Sequence, residues 1–203
     1  SLNEISNFYD IQEAKKNADK IIVITHGGNE MYNLPSPRLK ELFRFFVDAG
    51  ADAVINHHTH CVSGFETYKD KPIFYSLGNF IFENKEKTNQ VWNVGMGVKI
   101  IFSENDIKFE VKYFKQCFNS NTLLEELTKE ETKNIVEETD RLNQIILSNR
   151  LLKIEFNKWV EKNTKQYNFY LEPHNLKIIS YLQNRNYFTS LWSSKKRKYL
   201  LNL

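Results

Sequence analysis

Two short apolar runs, each running into histidine, constrain this chain more than any other feature. The first is Ile21-Ile22-Val23-Ile24-Thr25-His26-Gly27-Gly28-Asn29-Glu30; the second is Ala53-Val54-Ile55-Asn56-His57-His58-Thr59-His60. Four of the five histidines lie in these two segments. A β-branched apolar run bounded by Gly, Asn and His reads as a buried strand. The intervening Ser36–Ala49 reads as a helix: Ser36 stands at the N-cap, Pro37 at the first turn, and Leu39, Leu42, Phe43, Phe46 and Val47 form one apolar stripe, with Gly50 closing it. Strand, helix, strand makes a βαβ unit. Its parallel strands bring both histidine groups to one sheet edge, where such sheets bind ligands.

His58 and His60 are two residues apart, so an extended backbone points both to one side and His57 to the other. With His26 arriving from the neighbouring strand, three imidazoles are positioned as metal ligands. His57 reads as a residue that packs behind the ligands or orients them, or as a fourth ligand. Asn29 and Glu30 are placed to orient His26 or touch substrate. Arg38 lies in the first turn of the helix, an unfavourable place for a cation, so it reads either as a binder of substrate anions or as a surface arginine.

Four segments in order carry a resemblance: His26–Tyr32; Pro35–Arg38; Gly50–His60; and Tyr75-Ser76-Leu77-Gly78-Asn79-Phe80-Ile81-Phe82. Together they resemble the CapA family of bacterial capsule-synthesis proteins, the poly-γ-glutamate biosynthesis branch of the calcineurin-like metallophosphoesterases. The resemblance covers residues 19–82 well and reaches more loosely to about residue 115. It implies an α/β fold, the C-terminal half of a metallophosphoesterase-like α-β-β-α sandwich, followed here by a helical extension. It also implies a centre of two divalent metal ions (Mn, Fe or Zn), with His26 and His58 on one and His60 on the other. Asn79 would support the histidine loop. The substrate would be an anionic polymer or a phosphoester, with other capsule-synthesis proteins as partners and the cell envelope or an extracytoplasmic space as location.

Two departures follow from the same resemblance. The family's Gly before His-x-His is His57 here. Its Asp-rich segment, its bridging Gly-Asp and its Asn-His pair have no counterpart. Two ions about 4 Å apart repel and need a shared anionic ligand, and Glu30 is the nearest carboxylate. The expectation is therefore the C-terminal part of a longer protein, with an incomplete site. Three functions follow: a metal-dependent phosphoesterase-like hydrolase once complete, a non-catalytic component of a capsule synthesis or export complex, or a mononuclear three-histidine zinc site.

Composition excludes little beyond this. With 203 residues, 41% hydrophobic and 14% aromatic, a packed core is expected. A net charge of +3 does not point to nucleic acid. Cys61 and Cys117 lack disulfide or zinc spacing, and Cys61 reads as a small buried residue or a thiol beside the site. No signal or transmembrane segment is present in the chain. Two domains are expected, 1–117 and 118–203.

In chain order, the remaining expectations are a helix from Asp10 to Asp19 with an Asp10/Glu13 capping box and a hairpin of Gly64–Tyr68 and Pro72–Leu77. In that hairpin Phe65 and Thr67 would face one side, Glu66 and Tyr68 the other, as in a half-exposed strand. After a polar loop over 83–90 come strands Val94–Phe102 and Ile107–Phe114, turning through Ser103–Asp106. A helix or helix pair follows from Ser120 to about Lys165, then a break at Glu172-Pro173-His174 and helix again over Asn175–Gln183. His174 reads as a capping or surface residue, and Lys195-Lys196-Arg197-Lys198 as a solvated face.

Overall fold

A computed structural model describes residues 3–82, 90–104, 106–119 and 122–171. The chain forms two compact units, Ser1–Phe156 and Asn157–Leu203. The elements are α1 (Glu4–Asn17), β1 (Ile22–His26), α2 (Pro37–Asp48), β2 (Ala53–His57), β3 (Phe65–Tyr68), β4 (Lys71–Phe74), α3 (Gln90–Asn93), β5 (Val94–Phe102), β6 (Ile107–Asn119), β7 (Thr122–Glu126), α4 (Lys129–Leu147) and α5 (Asn149–Leu171). Of the second unit, residues 157–171 are described, all of them helical.

The βαβ unit forms as expected. β1 and β2 pair in parallel from Ile22–Ala53 to His26–His57. Ser36 caps α2 by accepting a hydrogen bond from the Leu39 N–H (3.1 Å). The stripe Leu39, Leu42, Phe43, Phe46 and Val47 is buried, and the Phe43 ring stacks on Tyr75 at 5.7 Å. α2 ends at Gly50, whose φ of +116° is open to glycine and strained for any side chain. β4 joins β2 in parallel and β3 antiparallel, giving the order β1-β2-β4-β3. The β3–β4 turn places Lys69 and Asp70 both at positive φ, the handedness that suits a two-residue hairpin.

A second, antiparallel sheet has the order β5-β6-β7. It lies face to face with the first, and Val62, Phe74 and Met96 are buried where Ile55, Phe65, Val98, Phe109 and Val111 meet. Phe109 sets its edge against both Phe65 and Phe74, at 5.4 and 5.2 Å, a geometry that aromatic quadrupoles favour. α4 starts at a Thr128–Glu131 capping box, is tied to β6 by Lys115–Glu131 (2.6 Å), and accepts the Phe65 N–H on Asn143 Oδ1 (2.7 Å). The described residues thus make a helical layer and two sheets. Where the resemblance implied a further helical layer, Lys99, Lys108, Glu110 and Lys112 stand exposed on the second sheet.

Several boundaries differ from expectation. α1 begins at Glu4, because Asn3 Oδ1 accepts the N–H groups of Ile5 and Ser6; Asp10 lies inside it. Residues 122–126 are strand rather than helix, because β6 runs to Asn119 and offers an edge with which β7 pairs. The boundary drawn at 117/118 falls inside β6. The helical stretch is a pair, as one of the two expectations had it, divided at Ser148, which is extended. Glu66 is buried, not on a half-exposed face: its carboxylate receives Arg44 Nε (2.9 Å), Arg44 Nη2 (2.5 Å) and the Tyr75 hydroxyl (2.6 Å). Thr67 is the exposed residue of that strand. The readings of 83–89, Asn105, 120–121 and everything from 172 onward, His174 and Lys195–Lys198 included, lie outside the described residues.

Candidate functional site

The β1–β2 ladder stops at His26 and His57, and the two following loops are then sewn together. The Gly27 N–H donates to His57 O (3.2 Å) and the Met31 N–H to Thr59 O (2.8 Å). Beneath them lies Asn56, fully buried. Its amide donates to Gly27 O (2.9 Å) and Tyr75 O (2.8 Å), and its Oδ1 accepts the Thr25 hydroxyl (2.7 Å). One side chain therefore joins the C-terminal ends of β1, β2 and β4.

On this floor stand the histidines. His26 Nε2 and His58 Nδ1 face each other at 3.2 Å, and the His58 and His60 rings lie 6.0 Å apart. The route to this convergence is not the expected one. β2 ends at His57, and the next residues turn through φ +103° at His58 and +59° at His60. An extended strand is not what aligns them. Left-handed backbone at non-glycine residues costs about 1–3 kcal/mol each and concentrates at functional loops.

His60 is held more tightly than the others. Its Nδ1 is 2.8 Å from Asn79 Oδ1, and its ring stacks on Trp92 at 4.8 Å and meets Phe82 at 5.3 Å. The Asn79 amide nitrogen is committed to Trp92 O (3.0 Å), so Oδ1 must face the imidazole. That assigns the proton to His60 Nδ1 and leaves Nε2 with its lone pair, the tautomer a metal ligand needs. Gln116 fixes the same corner by donating to Trp92 O (2.9 Å) and accepting the Phe82 N–H (2.8 Å).

The remaining candidates take lesser places. His57 is half-buried, and burial, then the neighbouring His26, lowers its pKa and favours the neutral ring. Asn29 and Glu30 are half-buried in the loop after β1, and Asn29 O accepts the Tyr32 N–H (3.2 Å). Arg38 is exposed and paired with Glu4 and, at 3.9 Å, Glu41; it fastens α2 to α1. Cys61 is buried, and burial pushes its thiol up to about 11, partly opposed by Thr59, so it is a packing residue and not a nucleophile. Among the described residues, no three His, Cys, Asp or Glu side chains are grouped to hold one ion. The described residues thus offer a facing imidazole pair and a third, oriented imidazole. Asn56 was legible only as part of a motif. Trp92 and Gln116 carry no local signal and are found only through contacts.

Comparison with known proteins follows the same residues. The model of the bacterial capsule synthesis protein family PGA_cap matches residues 4–84. The "Capsule biosynthesis protein CapA" of Bacillus anthracis is 49% identical over 82 residues, 40% of this chain and 20% of that protein. The "PGA biosynthesis protein CapA" of Bacillus subtilis (strain 168) is 48% identical over 73 residues, 36% and 19% of the two chains. A Sinorhizobium fredii protein, y4sH, is 38% identical over 78 residues. The matched segment thus spans about a fifth of the length of these relatives. No helix among the described residues is long and apolar enough to cross a membrane. Residues 4–84, which carry His26, His58, His60 and Asn79, are therefore the part of the chain that is similar to the PGA_cap family of bacterial capsule synthesis proteins and to these CapA proteins.

Proposed function

We propose that this segment forms the histidine side of a divalent-metal centre in a phosphoesterase-like hydrolase that acts in capsule polymer synthesis, with poly-γ-glutamate or a phosphoester as the substrate class. The observation that carries the reading is the meeting of His26, His58 and an oriented His60 beyond the ends of two parallel strands. A bound divalent ion would supply Lewis acidity and a hydroxide near neutral pH. The chain's own part is positional. Asn79 holds His60 in the ligating tautomer, Asn56 and the loop hydrogen bonds keep His26 and His58 in register, and the Trp92 and Phe82 rings pack against the His60 ring. With no third ligand grouped among the described residues, a mononuclear three-histidine zinc site is the less supported reading. Further ligands, above all an anionic one, would come from other parts of a CapA-family protein.

The test is titration of the full chain with Zn²⁺ and with Mn²⁺ by calorimetry, alongside His58→Ala and Asn79→Ala. Binding should be abolished by the first substitution and weakened by about 10–100-fold by the second, as for a partner that orients a ligand. Binding that survives His58→Ala unchanged would overturn the reading.

A further inference from the structure

A cleft of about 260 Å³ lies between α4, the junction of α3 with β5, and Lys115 on β6, and no histidine lines it. One wall is a face of α4, where Glu131, Ile135 and Glu138 stand at i, i+4 and i+7. Val62 and Val94 join Ile135 as apolar lining. The polar groups are few. Lys115 is committed to Glu131, at 2.6 Å. Glu138 is held by Arg141 at 2.7 Å and receives the Asn33 amide at 3.4 Å. Arg141 is outside the lining, which itself carries one cation and two carboxylates. Asn93, also in the lining, is 3% exposed, and its amide nitrogen donates to Gln116 O (3.1 Å) and Cys117 O (3.4 Å). Those two carbonyls fix its orientation, because a flipped amide would set oxygen against oxygen. Asn93 Oδ1 therefore faces away from them, and it accepts no hydrogen bond from the described residues. A buried acceptor calls for a donor.

We infer that this cleft binds a small primary amine, as its ammonium ion, with a short aliphatic body. The ammonium brings the donor that Asn93 Oδ1 lacks, and its charge suits a lining with more carboxylates than cations. The aliphatic part covers Val62, Val94 and Ile135, in a cleft smaller than drug-sized ligands need. An anion fits poorly, since it would meet Glu131 and Glu138 while the Lys115 charge is already matched by Glu131. The inference rests on the cleft and not on the metal reading.

The test titrates the isotope-labelled full chain near neutral pH with n-butylamine, and separately with sodium butyrate and n-butanol at matched ionic strength, followed by NMR. Butylamine should shift the methyl signals of Val62, Val94 and Ile135 and the side-chain amide of Asn93 saturably, with half-saturation at about 1–10 mM for so small a ligand. Butyrate and butanol should bind about tenfold or more weakly, since neither offers a charged donor. Ile135→Trp fills the cleft and should abolish the shifts. Glu138→Gln keeps the outline, removes one charge and should weaken butylamine about threefold; it keeps the test decisive if the tryptophan disturbs α4. Shifts that grow without saturating, butyrate or butanol binding as well as butylamine, or affinity for butylamine unchanged in Glu138→Gln would each overturn the inference.

Discussion

Replacing Asn56 tests the floor of the site most directly. In Asn56→Ala three hydrogen bonds disappear, those to Gly27 O, Tyr75 O and the Thr25 hydroxyl. Each is worth about 1 kcal/mol net, with a further cost for a buried group left unpaired. Tyr75 is buried while Gly27 is reachable by water, so the sum is about 3 kcal/mol. For a unit of this size that lowers the melting temperature by about 6–12 °C. Asn56→Asp separates hydrogen bonding from shape. It has the same outline but no N–H, so its oxygens confront two carbonyls unless it takes up a proton. Its folded pKa is then raised above the unfolded value. The proton-bound form is intact below the unfolded value, and stability is lost as pH rises through the folded one. The deficit of Asp relative to Asn should therefore be smallest in acid and widest at neutral pH. Denaturant unfolding of the three proteins at several pH values reads this out. An aspartate variant as stable as wild type at neutral pH, or an alanine variant within about 1 kcal/mol of it, would refute the account of Asn56 as the residue joining three strand ends.

Two further outcomes follow from the same structure. Burial alone would raise the Glu66 pKa, but the hydrogen bonds from Arg44 and Tyr75 and the Arg44 charge outweigh it and hold it below the ordinary 4.5. Its contribution is present above that value and is lost as pH falls through the folded one, so Glu66→Gln should cost about 2–3 kcal/mol at neutral pH, less than a fully enclosed pair because Arg44 is partly solvated, and the gap to wild type in thermal unfolding should close in acid. At Gly95 an added Cβ would meet Asn79 O and stand 2.5 Å from the Phe114 ring. Gly95→Ala should cost about 1–3 kcal/mol and shift the His60 ring signals in NMR spectra while leaving those of His26 in place, because Asn79 holds only the former.

What the sequence determined by itself was the local part. Apolar runs with period-two or unbroken patterning, the Ser36 cap, the α2 stripe and Gly50 specify β1, α2 and β2, and parallel pairing then forces His26 and His57–His60 to one edge. These signals survive because each depends on neighbours within one turn or one strand. Tertiary structure decided the rest. β7 is strand because the end of β6 offers it an edge, and no local preference of Thr122–Glu126 announces that. Glu66 is inside because Arg44, from a different element, neutralises it there. His58 and His60 converge through left-handed turns, not through alternation, and His60 is aimed by Asn79, Trp92 and Gln116, residues 19 to 56 positions away. The types of ligand are a property of the sequence. Their orientation is a property of hydrogen bonds and ring contacts that exist only once distant segments have packed.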